Sequence, residues 1–152
     1  MQTVDIDFCA PGDLTALLEV ERACFDDPWE PHAIAYDLNN QGSIVYLKAS
    51  LKDAIAGYSV VSRGDDICHL MNLAVLPAYR GMGVALQLML GVQAVAEDWE
   101  NRRMRLEVRS SNQTARDFYS RLGFTYNTRL KGYYTNGEDA LILTARLPLR
   151  IE

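Results

Sequence analysis

The stretch LAVLPAYRGMGVALQLML, Leu73 to Leu90, constrains the fold more than any other part of the chain. An apolar run of strand character stops at Pro77, Arg80, Gly81 and Gly83 crowd together, and a second apolar run follows at helical spacing. A strand that passes into a helix through closely spaced glycines leaves backbone N–H groups unpaired at the positive end of the helix dipole, where an anion is held. The glycines permit close approach and left-handed backbone, Ala85 is small, and the Arg80 guanidinium can add a charge-assisted contact. On residue types alone the segment reads as a diphosphate cradle or as a plain tight turn. Two familiar phosphate loops do not fit. The nucleotide-hydrolase loop needs Lys and then Ser or Thr after its last glycine, where Val84 and Ala85 stand here. The dinucleotide fingerprint opens a parallel unit, whereas the strands expected before this segment read as antiparallel.

Those strands come from alternation. Val4, Ile6 and Phe8 mark a half-buried strand, and Asp13 stands where a cap would open a helix whose stripe is Leu14, Leu17, Leu18, Glu21 and Phe25. HAIAYDLNN reads as a short helix; SIVYLKAS and AIAGYSVVS read as strands turning at Lys52 and Asp53, and ICHLMNLAV as the next. Val84, Leu88, Val92, Val95 and Trp99 predict a largely buried helix with Gln87 and Asp98 on its opposite face. MRLEVRS sets Met104, Leu106 and Val108 against Arg105, Glu107 and Arg109. SNQTARDFYSRLGF is a helix capped by Ser111 or Asn112 and stopped at Gly123, after which TYNTRL and DALILTARL close the sheet. The expected architecture is a mixed α/β single domain over residues 1–152, with one mostly antiparallel sheet of about seven strands and about four helices.

Composition narrows the function. Fifteen basic residues against twenty acidic ones give a net charge of −5, so no global field favours nucleic acid. Cys9, Cys24 and Cys68 are odd in number and scattered, which points to reduced thiols. His32 and His69 have no sequence neighbours that would make a metal site or triad and read as structural or surface residues; no metal is expected. The acidic start is unlike a signal peptide and no apolar run reaches membrane-spanning length, so a cytoplasmic protein without membrane attachment is expected.

The arrangement R-G-M-G-V-A at 80–85 resembles the pyrophosphate motif Q/R-x-x-G-x-G/A of the GNAT superfamily of acyl-CoA N-acyltransferases. MNLAVLPAYRGMGVALQLML, RLEVRSSNQTARDFYSRLGF and KGYYTNGEDALIL resemble, in order and spacing, the RimI-type protein N-terminal alanine acetyltransferases, and ERACFDDPWE is similar to that group's first helix and loop. The resemblance implies acetyl-CoA as cosubstrate. The backbone amides of Arg80, Gly81, Met82, Gly83, Val84 and Ala85 would hold its pyrophosphate, the strand end Leu73, Ala74 and Val75 would lie along its pantetheine arm, and Asn112 beside that arm. Asn112 also reads simply as a helix cap.

The resemblance further implies Glu107 as general base, through water, and Tyr119 as general acid at the thioester sulfur. Without it, a Glu between Arg105 and Arg109 is an ion pair and a Tyr beside Phe118 is core packing. The loop carrying Tyr133 and Tyr134 would close over an entering peptide N-terminus, with the loop near Phe25, Pro28 and Trp29 as the facing wall. The acceptor implied is a ribosomal protein beginning with alanine. An acetyltransferase of small amines or lysine side chains, and a catalytically silent acyl-CoA-binding regulator, are the competing readings. With reference pKa values of about 7.7–8.0 and 10.4, roughly a tenth of an α-amine but less than about a thousandth of a lysine is neutral at pH 7, which favours the α-amine.

Overall fold

The computed structural model describes residues 1–151. Its strands are β1 (Asp5–Phe8), β2 (Ile44–Leu51), β3 (Ala54–Ser62), β4 (Ile67–Val75), β5 (Arg103–Arg109), β6 (Thr125–Leu130) and β7 (Ala140–Arg146); its helices are α1 (Leu14–Cys24), α2 (Pro31–Asn39), α3 (Val84–Asp98) and α4 (Gln113–Arg121). One sheet takes the order β1-β2-β3-β4-β5-β7-β6. The expected mixed α/β architecture is therefore present, down to the turn at Lys52 and Asp53, both in left-handed backbone at φ 52° and 67°.

One pairing departs from the antiparallel rule. β4 and β5 run parallel and pair only through Ile67–His69 and Arg103–Arg105, and no pairing continues beyond. The ends of these two strands leave a gap in the sheet, and a bulge in β4 adds to it: Val60 pairs with Asn72 but Val61 with Leu70, which leaves Met71 unpaired. β4 then feeds the turn at Pro77–Tyr79 and so the glycines.

Helices cover both faces. α3, apolar on nearly every side, packs with Leu88, Met89 and Val92 on a core shared with Leu47, Met104, Leu106, Tyr119 and Phe124. On the opposite face Leu17, Val20, Ile34 and Leu38 from α1 and α2 meet Tyr46, Tyr58 and Val60. Within this second core Glu21 is only 1 % exposed. It accepts from the Tyr58 hydroxyl at 2.8 Å, the Asn72 amide at 2.7 Å and the Trp29 backbone N–H at 2.7 Å, so α1, β3, β4 and the loop before α2 meet at one carboxyl group.

Three expectations are corrected. Phe8 is 60 % exposed, at the end of β1, which is an edge strand of the sheet. Asp13 does not cap α1: a short 3₁₀ turn at Pro11–Asp13 already gives it helical backbone, and its carboxylate turns back to the Ala10 N–H at 2.8 Å and to Lys48 at 3.0 Å. Gln87 is part buried and reaches the N-terminal segment, accepting from the Val4 N–H at 3.0 Å.

Glu21→Gln puts an N–H₂ where donors already converge, so at least one is left without an acceptor. The expected loss is about 2 kcal/mol of unfolding free energy by urea titration; a change below about 0.5 kcal/mol, as for an ordinary surface substitution, contradicts this reading of the network.

Candidate active site

Gly81 and Gly83 both take left-handed backbone, at φ 78° and 81°, and Gly83 is the N-cap of α3. A side chain at Gly83 is disfavoured by that backbone, while the nearest neighbour of a Cβ there would be the exposed Met1 side chain, which can move aside. Arg80 N–H is taken up by the Pro77 carbonyl at 3.3 Å, and the Gln87 N–H by the Gly83 carbonyl at 3.2 Å. Between them the amides of Gly81 through Leu86 donate to no acceptor among the described residues. The run of free donors thus starts one residue later than expected. The Arg80 side chain also lies back on the strand, its Nε 3.0 Å from the Val75 carbonyl and its Nη2 3.7 Å from Cys24 Sγ. Asn112 is the N-cap of α4 and accepts from the Ala115 N–H at 3.1 Å, as a cap does.

A second constellation lies where β4 and β5 part. The alternation of β5 buries Met104, Leu106 and Val108 and turns Glu107 to the other face. There His69 Nε2 stands 2.6 Å from Glu107 Oε2, the Tyr133 hydroxyl donates to Oε1 at 3.4 Å, and Arg105 is 4.0 Å away. Burial works to raise the Glu107 carboxyl, but the His69 hydrogen bond and charge, followed by Arg105 and Tyr133, outweigh it and hold the group below the ordinary Glu value. Arg109 is not part of this cluster: it pairs with Glu138 at 3.3 Å and stacks on Tyr134 with its guanidinium 3.9 Å from the ring centre.

His69 is the residue that the sequence reading missed, having been read as a structural or surface residue without partners for a metal site or triad. Its signal was there: in ICHLMNLAV, Cys68 and Leu70 point inward and His69 outward, the face that Glu107 shares. What the sequence does not state is that β4 and β5, separated by a helix, are neighbours.

Tyr119 has its ring in the core, edge-on to Phe118 and Phe124 at 5.3 and 5.5 Å. Burial pushes its hydroxyl well above the ordinary tyrosine value, with Tyr134 adding to the effect. Its hydroxyl has no hydrogen-bond partner among the described residues, yet it is not a fully enclosed atom, since Ser59 Oγ is the one enclosed side-chain polar atom there without a partner. Tyr134, pushed up to about 12 chiefly by burial, feels the charge of Glu107 as well and so lies in electrostatic reach of both candidate groups.

The loop after Tyr134 and the loop after Phe25 meet at one hydrogen bond, in which Thr135 donates to Asp27 at 3.1 Å. Phe25 and Tyr133 are exposed, whereas Trp29 packs in part against the second core. Among the described residues no group of His, Cys, Asp and Glu could hold a metal ion, and no helix is long and apolar enough to cross a membrane.

Comparison with known proteins places these features in company. The profile of the acetyltransferase (GNAT) family matches residues 14–124. The ribosomal protein bS18-alanine N-acetyltransferase of Haemophilus ducreyi is 32 % identical over 146 residues, covering 89 % of this chain and 94 % of that one. The crystal structure of the ribosomal-protein-S18-alanine N-acetyltransferase from Escherichia coli superposes with a TM-score of 0.85 at 27 % identity, covering 99 % of this chain and 96 % of the other. Arabidopsis thaliana NAA60, solved in complex with acetyl-CoA, shares the fold at 23 % identity and a TM-score of 0.83, over 95 % of this chain and 99 % of its own.

His69→Ala removes the strongest influence that lowers Glu107 and leaves burial less opposed, so the Glu107 carboxyl should titrate at higher pH than in the parent, as read by side-chain carbon NMR. An unmoved titration would show that the contact at 2.6 Å carries no electrostatic coupling.

Proposed function

The chain belongs to the acetyltransferase (GNAT) family, and from that premise we propose that it transfers the acetyl group of acetyl-CoA to the α-amine of a protein N-terminus. A ribosomal protein beginning with alanine is the acceptor we favour, on the names of the bacterial relatives. The single observation that carries the reading is the Glu107–His69 pair at the point where β4 and β5 part, beneath loops that meet through Asp27 and Thr135.

The free amides from Gly81 to Leu86 suit a doubly charged phosphate bridge: several donors converge at a helix N-terminus with two glycines giving close approach. The thioester supplies an electrophilic carbonyl and a thiolate leaving group. Magnitudes then decide what Glu107 does. Taking a proton from an α-ammonium near pKa 8 onto a carboxylate held below the ordinary Glu value is steeply uphill, whereas drawing on the neutral tenth of the amine at pH 7 costs about 1.4 kcal/mol. The amine therefore enters neutral, and Glu107, steadied by His69 and Tyr133, receives the proton directly or through a water only as the C–N bond forms and the nitrogen becomes acidic. Tyr119, with a free hydroxyl, gives its proton to the sulfur as the C–S bond breaks.

The test follows acetyl-CoA consumption with peptides differing only at their first residue, against a panel of small amines and internal-lysine peptides. Turnover of peptide N-termini, best with a small first residue, is expected. Turnover of a small amine or lysine with no peptide N-terminus overturns the acceptor, and acetyl-CoA binding without any turnover favours a regulatory module. Tyr119→Phe should keep acetyl-CoA binding and lower turnover by about tenfold or more; full turnover at saturating substrate removes Tyr119 from the acid role.

A further inference from the structure

Gln87, on α3 one turn inside the glycines, makes more hydrogen bonds than an exposed helix residue needs. Its Nε2 donates to the Gln2 carbonyl at 2.7 Å and to the Gly83 carbonyl at 3.1 Å, and its Oε1 accepts from the Val4 N–H at 3.0 Å. Gln2 N–H donates in turn to the Met82 carbonyl at 2.9 Å. The carbonyls of both Met82 and Gly83 are thereby pinned toward the N-terminal segment and the helix. A trans peptide group is planar, with its C=O and N–H pointing in opposite directions, so fixing a carbonyl fixes the following amide. The carbonyl of Met82, held by Gln2, turns the Gly83 N–H away from the N-terminal segment; that of Gly83, which accepts the Gln87 N–H at 3.2 Å and its Nε2 at 3.1 Å, turns the Val84 N–H away from the body of α3. Both amides belong to the unpaired run that ends at Leu86.

We infer that Gln87 is a positioning residue for the donor site: it ties residues 2–4 to the glycine turn and so holds the Gly83 and Val84 amides at the angle a pyrophosphate requires. Glycine is the residue least able to hold such an angle by itself, because it loses the most backbone freedom on ordering. Gln87 makes no contact with the ligand; it acts through two peptide planes. The inference rests on the reading of the turn as a pyrophosphate cradle.

The test compares two ligands that share one arm. CoA carries the pyrophosphate and pantetheine lacks it, and NMR titration reads both affinities down to the millimolar range. In the parent protein CoA binds the tighter. Gln87→Ala should weaken CoA by about tenfold, the equivalent of about one hydrogen bond, and leave pantetheine unchanged. Gln87→Met, which keeps the length of the side chain without its polar atoms, should do the same and stands in if the alanine variant does not fold. Equal weakening of both ligands would assign Gln87 a general structural role, and no weakening of either would leave it none at this site; each overturns the inference. A parent protein that binds CoA no better than pantetheine overturns the cradle reading itself, and the inference falls with it.

Discussion

The parallel ladder between β4 and β5 stops after Ile67–His69 and Arg103–Arg105, and the rest of the site follows from that stop. A sheet whose neighbouring strands stay paired to their ends has no room between them for a ligand. Here β4 is bulged at Met71 and held to β3 alone, so its end is free along one edge before it runs into the glycine turn. His69 sits on the final paired rung, opposite Arg105, which precedes Glu107 by two residues on the same face of β5. The junction that ends the pairing therefore brings the histidine to the carboxylate, and the same strand delivers the free amides of α3 to the other end of the gap.

Two carboxyl groups show how differently the fold uses burial. Glu21 is enclosed and surrounded by neutral donors from three further segments, so it serves as a joint between the second core, β4 and the loop before α2. Glu107 is only part buried and lies beside His69 and Arg105, which favour its charged form. A carboxylate of this kind is a poor base toward an ammonium and a better one toward a nitrogen already acylating, so in the proposed reaction proton transfer would accompany bond formation. Burial of the Tyr119 ring raises its hydroxyl above the ordinary tyrosine value, which makes it a weaker acid, so the acid role proposed for it rests on its free hydroxyl and not on that shift.

Much of this was legible in the residues. The strand-to-helix turn at Leu73–Leu90, the inward and outward faces of β5, the cap at Asn112 and the order of elements all depend on local periodicity and turn chemistry, which a linear sequence carries directly. What was not legible depends on which elements become neighbours. His69 gained its partner from strand adjacency across a helix, Gln87 was drawn from an apparent solvent face by the N-terminal segment, and Arg80 folded back on Val75. Asp13 failed as a cap because a preceding 3₁₀ turn had already set its backbone. In each case a polar side chain chose among partners that the sequence does not rank.

In the proposed reaction the free amides from Gly81 to Leu86 receive the pyrophosphate of acetyl-CoA. The most direct measurement is a ¹H–¹⁵N titration of the protein with CoA, followed by amide hydrogen exchange of the complex. The account predicts that the resonances of Gly81 to Leu86 move downfield as a block and that their exchange slows. If those amides keep their shifts and exchange rates while CoA saturates the protein and perturbs some other surface, the donor is bound elsewhere and the claim is wrong.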